Sequence, residues 1–347
     1  MKVTQAITLL GAALLGSAVI AGASPHKKCR ARQSSVADSV SVPVPTGTAS
    51  VGVAPAPSSS NASSDDSTGR ALAGLNYNAR RADGSCPTLE EVKSDLDFLA
   101  GTVSKNFRIY SLTDCQQGEL LLNAVKDTDY KILLGMWVGK DGNAVNAEIA
   151  ELTRLAQTHT ALFNGTVSGV VVGSEAIYRK DVDEATLVSY INRSRDALRQ
   201  VGISAPVTSA ETYNVIDAGL VNAVDFVTMN AFPFWENKTI DEASGVFFNH
   251  LDYVKGLAGD KTVVVGETGW PTAGGNYGPG VPSLENFKTY LGQFVCEAKK
   301  RDLQYYWFAA FDEPWKADEH TIGVEPNWGL TTSDRRTWKI DGPFYQC

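Results

Sequence analysis

Eight short apolar runs punctuate residues 70–347, each separated from the next by helical periodicity or loop character. They span residues 71–78, 107–110, 131–138, 167–175, 206–212, 225–232, 262–267 and 304–311. The runs are continuous rather than alternating, which suits parallel strands covered on both faces. Helical patterns are clearest at 88–100, 147–163, 184–201 and 283–301. In the first, Leu89, Val92, Leu96 and Leu99 recur every three or four residues and make one apolar stripe. Eight such repeats, in a stretch close to the roughly 250 residues typical of the architecture, predict an α/β fold, a (β/α)8 TIM barrel. A doubly wound open sheet competes, but no G-x-G-x-x-G or phosphate loop opens a helix.

The barrel is expected to follow a leader in two parts. Residues 1–23 read as a signal peptide: an apolar stretch from Ala6 to Ala23 ends in the small-x-small pattern Ala21-Gly22-Ala23. A membrane anchor is the rival, since the stretch just reaches spanning length, but its small residues and abrupt polar exit favour cleavage. Residues 24–69 are rich in Ser, Thr and Pro and bury too little apolar surface to offset chain entropy, so a disordered segment is expected there, a flexible linker or an O-glycosylated stalk. The basic cluster Lys27, Lys28, Arg30 and Arg32 reads as a processing site or a solvated charge run. Residues 70–347 then form the catalytic barrel.

Composition narrows the partners. With 31 Lys and Arg against 39 Asp and Glu the net charge is −8, which argues against nucleic acid, whose binders concentrate positive charge on one face. Of the five cysteines, Cys29 lies in the leader. Cys86, Cys115, Cys296 and Cys347 form no C-x-x-C pair, and the histidines are scattered, so neither a metal site nor a cofactor is expected. Proximity pairs Cys86 with Cys115 and Cys296 with Cys347. Sequons at Asn61, Asn164, Asn192 and Asn237 accord with passage through a glycosylating pathway. The mature chain is expected to be secreted, free of the membrane after signal cleavage, and monomeric.

In such barrels reactive groups sit at the carboxyl ends of strands. The fourth run, Gly169-Val170-Val171-Val172-Gly173-Ser174-Glu175, and the seventh, Val263-Val264-Val265-Gly266-Glu267, each pass through a glycine to a glutamate, with an aromatic residue three places on, Tyr178 and Trp270. Strands four and seven of an eight-stranded ring lie nearly opposite, so the two carboxyls would face each other. A protonated carboxyl beside an ionised one is the equipment for acetal cleavage: one donates a proton to the leaving oxygen and the other meets the developing cation. The competing reading makes both glutamates caps or salt-bridge partners; the matched pair argues against it.

At these residues the chain resembles glycoside hydrolase family 17, the β-1,3-glucanases, and especially its fungal cell-wall branch. The resemblance is carried by Gly74-Leu75-Asn76-Tyr77-Asn78, Asp83-Gly84-Ser85-Cys86, Arg108-Ile109-Tyr110-Ser111 with Asp114-Cys115, Gly173-Ser174-Glu175-Ala176-Ile177-Tyr178-Arg179 and Val265-Gly266-Glu267-Thr268-Gly269-Trp270-Pro271. It covers residues 71 to about 340 and implies a (β/α)8 barrel, retaining chemistry on β-1,3-glucan, Glu175 as acid/base and Glu267 as nucleophile. It also implies a cell-wall location. Many relatives carry Asn before the acid/base to contact the sugar 2-hydroxyl; here Ser174 stands in that place, so the contact would run through water or another residue.

Aromatic residues gather at strand ends and suit the apolar C–H faces of sugars. The expected substrate contacts are Tyr110, Trp137, Ser174, Tyr178, Asn230, Trp270, Asp312 and Glu313. Glu211, and Asp312 with Glu313, are weighed as sugar contacts or carboxylate-positioning groups against a rim salt bridge, for instance with Lys316. The same catalytic pair serves hydrolysis or glucanosyl transfer. A non-catalytic glucan-binding barrel is a second class. An aldolase using a lysine Schiff base is a third, disfavoured because Lys140 and Lys316 both fall in loops.

Overall fold

The structure, a computed structural model, describes residues 68–317 and 322–347. The signal peptide, the Ser/Pro-rich leader, Cys29 and the sequon at Asn61 lie outside the described residues. Eight parallel strands close a ring in which each pairs with its sequence neighbours and the last with the first. They are β1 Leu75–Asn76, β2 Asn106–Arg108, β3 Lys131–Met136, β4 Val167–Ser174, β5 Val207–Thr212, β6 Val227–Asn230, β7 Val263–Thr268 and β8 Tyr305–Trp307. The expected barrel is what the chain forms. The ladders are shorter than most of the apolar runs because both ends of a run pass into connecting turns: of residues 71–78 only Leu75 and Asn76 pair.

Helices pack around the ring: α1 Leu89–Ala100, α2 Gln117–Val125, α3 Gly142–Thr158, α4 Thr160–Phe163, α5 Glu184–Gln200, α6 Ala218–Ala223, α7 Ile240–Ala258 and α8 Leu284–Lys300. Thr88 caps α1 through a box with Glu91, worth about 1 kcal/mol. Val92, Leu96 and Leu99 are wholly buried, at roughly 1.5–3 kcal/mol each. The pattern at 147–163 resolves into two helices. Asp141 caps the first through the Asn143 N–H, so it starts at Gly142, and His159 leaves helical geometry between the two.

Side chains on or next to β3 through β8 fill the ring itself: Leu133, Val171, Ala210, Phe226, Val264 and Tyr306. A larger apolar layer joins the outer strand faces to the helices. Toward the carboxyl ends the ring interior turns polar, with Asn76, Arg108, Ser174, Asn230 and Glu267 all buried. Both expected disulfides form, Cys86–Cys115 and Cys296–Cys347, with Cα–Cα distances of 5.2 and 5.4 Å. No helix among the described residues is long and apolar enough to cross a membrane.

Candidate active site

The end of β4 is bent to aim its last carboxyl. Gly173 has φ +80°, which an L side chain adopts only with strain, and Glu175 follows at φ +58°. The register with β5 shifts between Val171 and Ser174, and the Glu175 N–H meets the Ala210 carbonyl at 2.7 Å. Across the ring, Gly266 lets β6 approach β7: a Cβ there would stand 2.6 Å from Asn230 Oδ1. That space admits the Asn230 side chain between the two carboxyl-bearing strands.

A chain of hydrogen bonds then ties the carboxyls together. Arg108, wholly buried on β2, donates from Nη1 to Glu267 Oε1 at 2.7 Å and to Asn76 Oδ1 at 3.0 Å, and from Nη2 to Ser174 Oγ at 3.1 Å. Ser174 Oγ donates to Glu267 Oε1 at 3.0 Å and accepts from Asn230 Nδ2 at 3.2 Å. Asn230 Nδ2 also donates to Glu175 Oε1 at 3.1 Å. The Ser174 hydroxyl thus makes one donation and two acceptances, all to protein groups.

Electrostatics separates the two acids. Burial, reinforced by the Glu267 charge, pushes the Glu175 carboxyl up to about 7, against the pull of the Asn230 amide and Arg179. Glu267 instead has the Arg108 guanidinium as its ion-pair partner. Burial, with Glu267 next in weight, also holds the Tyr110 hydroxyl well above its ordinary value. A carboxyl that keeps its proton near neutrality beside one paired with a cation can serve an acid and a nucleophile in one cleft.

That cleft has a volume of about 320 Å³ and is lined by both glutamates together with Tyr110, Trp137, Ser174, Arg179, Phe308, Trp315 and Lys316. The Arg179 guanidinium lies 4.6 Å from the Trp137 ring centroid, fixing its plane. The buried Tyr110 hydroxyl and Trp315 Nε1 have no hydrogen-bond partner among the described residues. Glu148, buried on α3, accepts from the Leu112 N–H and from the Ser111 and Thr113 hydroxyls, which anchors the loop after β2 as a cleft wall.

The other expected contacts fall elsewhere. Tyr178 is half-exposed outside the cleft, and Asn230 sits behind the carboxyls with no exposure. Trp270 is fully buried; its indole N–H donates to the Val281 carbonyl and its ring packs on Phe234 and Tyr290. Asp312 faces away, paired with Lys339 at 2.6 Å and accepting the Gly329 N–H. Glu313 pairs with Lys316 at 2.6 Å and borders a small recess beside Tyr110. Lys316, expected in a loop, ends a short 3-10 turn, Pro314–Lys316, and lines the cleft. Burial pulls its ammonium down, but the charge and hydrogen bond of Glu313 together with the Glu325 and Glu267 charges hold it above the ordinary value, the reverse of what an amine nucleophile needs.

Sequence reasoning gave no role to Arg108, Asn76, Arg179 or Trp315; it weighed Lys316 as a rim salt-bridge partner, which is how it meets Glu313, and as a disfavoured Schiff-base lysine. For Arg108 a signal existed, an arginine between Phe107 and Ile109 in an apolar strand, since a buried guanidinium requires a partner. Among the described residues no group of three or more His, Cys, Asp or Glu is placed to hold a metal ion.

Comparison with known proteins fits this geometry. The BtgE/BtgC glycoside hydrolase domain family matches residues 74–329. A glucan 1,3-beta-glucosidase of Saccharomyces cerevisiae is 31% identical over 289 residues, covering 78% of this chain and 91% of that protein. A putative glucan endo-1,3-beta-glucosidase of Aspergillus niger is 32% identical over 274 residues, 72% of this chain but only 39% of that longer protein. Among solved structures, the glycoside hydrolase family 17 beta-1,3-glucanosyltransferase of Rhizomucor miehei is 36% identical, covers 77% of this chain and 95% of its own, and superposes with a TM-score of 0.68. An active-site mutant of that enzyme has been solved with laminaritriose. With its barrel, its paired carboxyls and these matches, the chain belongs to the BtgE/BtgC glycoside hydrolase domain family, within glycoside hydrolase family 17.

Proposed function

We propose that this chain cleaves β-1,3-glucan with retention of configuration. A Glu267 carboxylate oxygen bonds to the anomeric carbon as the glycosidic C–O bond breaks, and the Glu175 proton passes to the departing sugar oxygen. Glu175, now ionised, then takes a proton from the incoming hydroxyl, whose oxygen displaces Glu267 and restores its carboxylate. The carrying observation is the electrostatic split between two carboxyls of one cleft: Glu175 raised to about 7 and Glu267 paired with buried Arg108.

Tyr110 and Trp315, with unpartnered buried polar atoms at the cleft, supply hydrogen-bonding groups for sugar hydroxyls, and Trp137 a flat apolar face. In this reading the protein is a secreted monomer that remodels cell-wall glucan; its two disulfides favour an oxidising compartment and so support secretion. The test is proton NMR of the first product formed from a laminarioligosaccharide: a β-anomer supports the reading and an α-anomer rejects it. Trapping by a 2-deoxy-2-fluoro glycoside must place the label on Glu267.

A second reading is transfer, in which the hydroxyl of another glucan chain replaces water. The 36% identity to a beta-1,3-glucanosyltransferase favours it. Products longer than a supplied laminaripentaose distinguish transfer from hydrolysis.

A further inference from the structure

Glu211 is a buried acid that the reaction above leaves without a role. It sits on β5 with no exposure and does not line the cleft, so it touches no sugar there. Its carboxylate accepts the Ile177 N–H at 2.9 Å and the Tyr178 N–H at 3.3 Å, both in the turn that follows Glu175. The preceding β5 residue holds the near end of the same turn, through the Glu175 N–H to the Ala210 carbonyl at 2.7 Å. Between these grips Glu175 adopts φ +58°, a conformation that a glutamate keeps only when its surroundings impose it.

We propose that Glu211 is a positioning residue for Glu175: two adjacent β5 positions clamp the turn, and the Glu211 carboxylate fixes the backbone that aims the acid at the leaving oxygen. The chemistry supports this division. A carboxylate accepts several amide N–H groups at once, whereas an amide side chain would present a donor to one of them. The inference rests on Glu175 being the acid/base.

The experiment compares kcat/KM on two substrates in the full-length secreted protein. Laminaripentaose has a poor leaving group and needs the proton; 2,4-dinitrophenyl β-laminaribioside has a leaving group that departs without one. Glu211→Ala is expected to lose about 100-fold on laminaripentaose and less than about threefold on the dinitrophenyl substrate, since misaiming by about 1 Å carries that order of cost. Equal losses on both, the mark of general loosening, overturn the proposal. If Glu211→Ala does not fold, Glu211→Gln, which keeps the volume, replaces it under the same criterion. Glu175→Gln is run alongside. If it fails to discriminate between the substrates, the acid assignment itself falls; if it discriminates and the Glu211 variant does not, only the positioning role falls.

Discussion

The Arg108 guanidinium meets Glu267 Oε1 at 2.7 Å, and the two side chains retain 0% and 9% of their exposure. A pair this dry costs more to break than to have formed, because removing one partner strands the other charge in a medium that solvates it poorly. Arg108→Met is therefore expected to lower kcat/KM by at least about 100-fold and to destabilise the fold by about 3–5 kcal/mol. Steady-state kinetics with thermal unfolding checks both. Activity within a few-fold of the parent would remove Arg108 from the site.

The raised Glu175 carboxyl has two consequences, and both run downhill as pH rises. Its protonated form persists until pH passes about 7, so kcat/KM on unactivated glucan should fall above that pH. A folded-state value above the unfolded one means that the folded chain binds more protons between about 4.5 and 7. Stability is thus fully present below that window and is lost as pH rises through it. Glu211, also pushed up to about 7 by burial, acts in the same window. Melting temperature against pH should show a smaller decline in Glu175→Gln than in the parent.

Ser174 lines the cleft yet spends its hydrogen bonds on Arg108, Asn230 and Glu267. Ser174→Ala should accordingly lower kcat by about 10-fold, the worth of one strong hydrogen bond, with KM nearly unchanged. A rise in KM at constant kcat would instead mark a direct sugar contact.

The Cys86–Cys115 bridge closes a separation of 29 residues between the loop after β1 and the turn after β2, next to Asp114 on the cleft wall. In the chain-entropy account such a link contributes about 3.5 kcal/mol, so replacing both cysteines by serine should lower stability by roughly 2–4 kcal/mol, read by denaturant unfolding.

How far the sequence carried depends on what each residue faces. The barrel was legible because continuous apolar runs have few other uses, and the paired carboxyls because each closes such a run just after a glycine, one residue on for Glu267 and two for Glu175. Side-chain direction after a strand end is not periodic, so Trp270 and Tyr178, equally placed in sequence, part company. The first turns inward to the Val281 carbonyl, and the second stands half in solvent. Asp312 and Glu313 likewise point to different lysines, Lys339 and Lys316, because consecutive side chains leave an extended backbone on opposite sides. The Arg108 network joins β2, β4, β6 and β7, a convergence of distant segments that no local pattern records.

Tyr110 offers the cleanest separation of binding from folding. Its ring lies under the Arg108 guanidinium, 4.9 Å from centroid to carbon, and Tyr110→Phe preserves that packing. The hydroxyl is buried at the cleft without a partner among the described residues, so its removal breaks no hydrogen bond there. An unpaired buried hydroxyl is itself unfavourable, and Tyr110→Phe should leave the melting temperature unchanged or slightly higher. A sugar hydroxyl that would have met this group then loses its partner. KM for laminaripentaose should therefore rise about 5- to 10-fold, equivalent to one neutral hydrogen bond. Isothermal titration of the catalytically silenced Glu267→Ala chain, with and without Tyr110→Phe, measures the same loss free of turnover. Equal affinities in the two proteins would show that the hydroxyl does not reach the glucan.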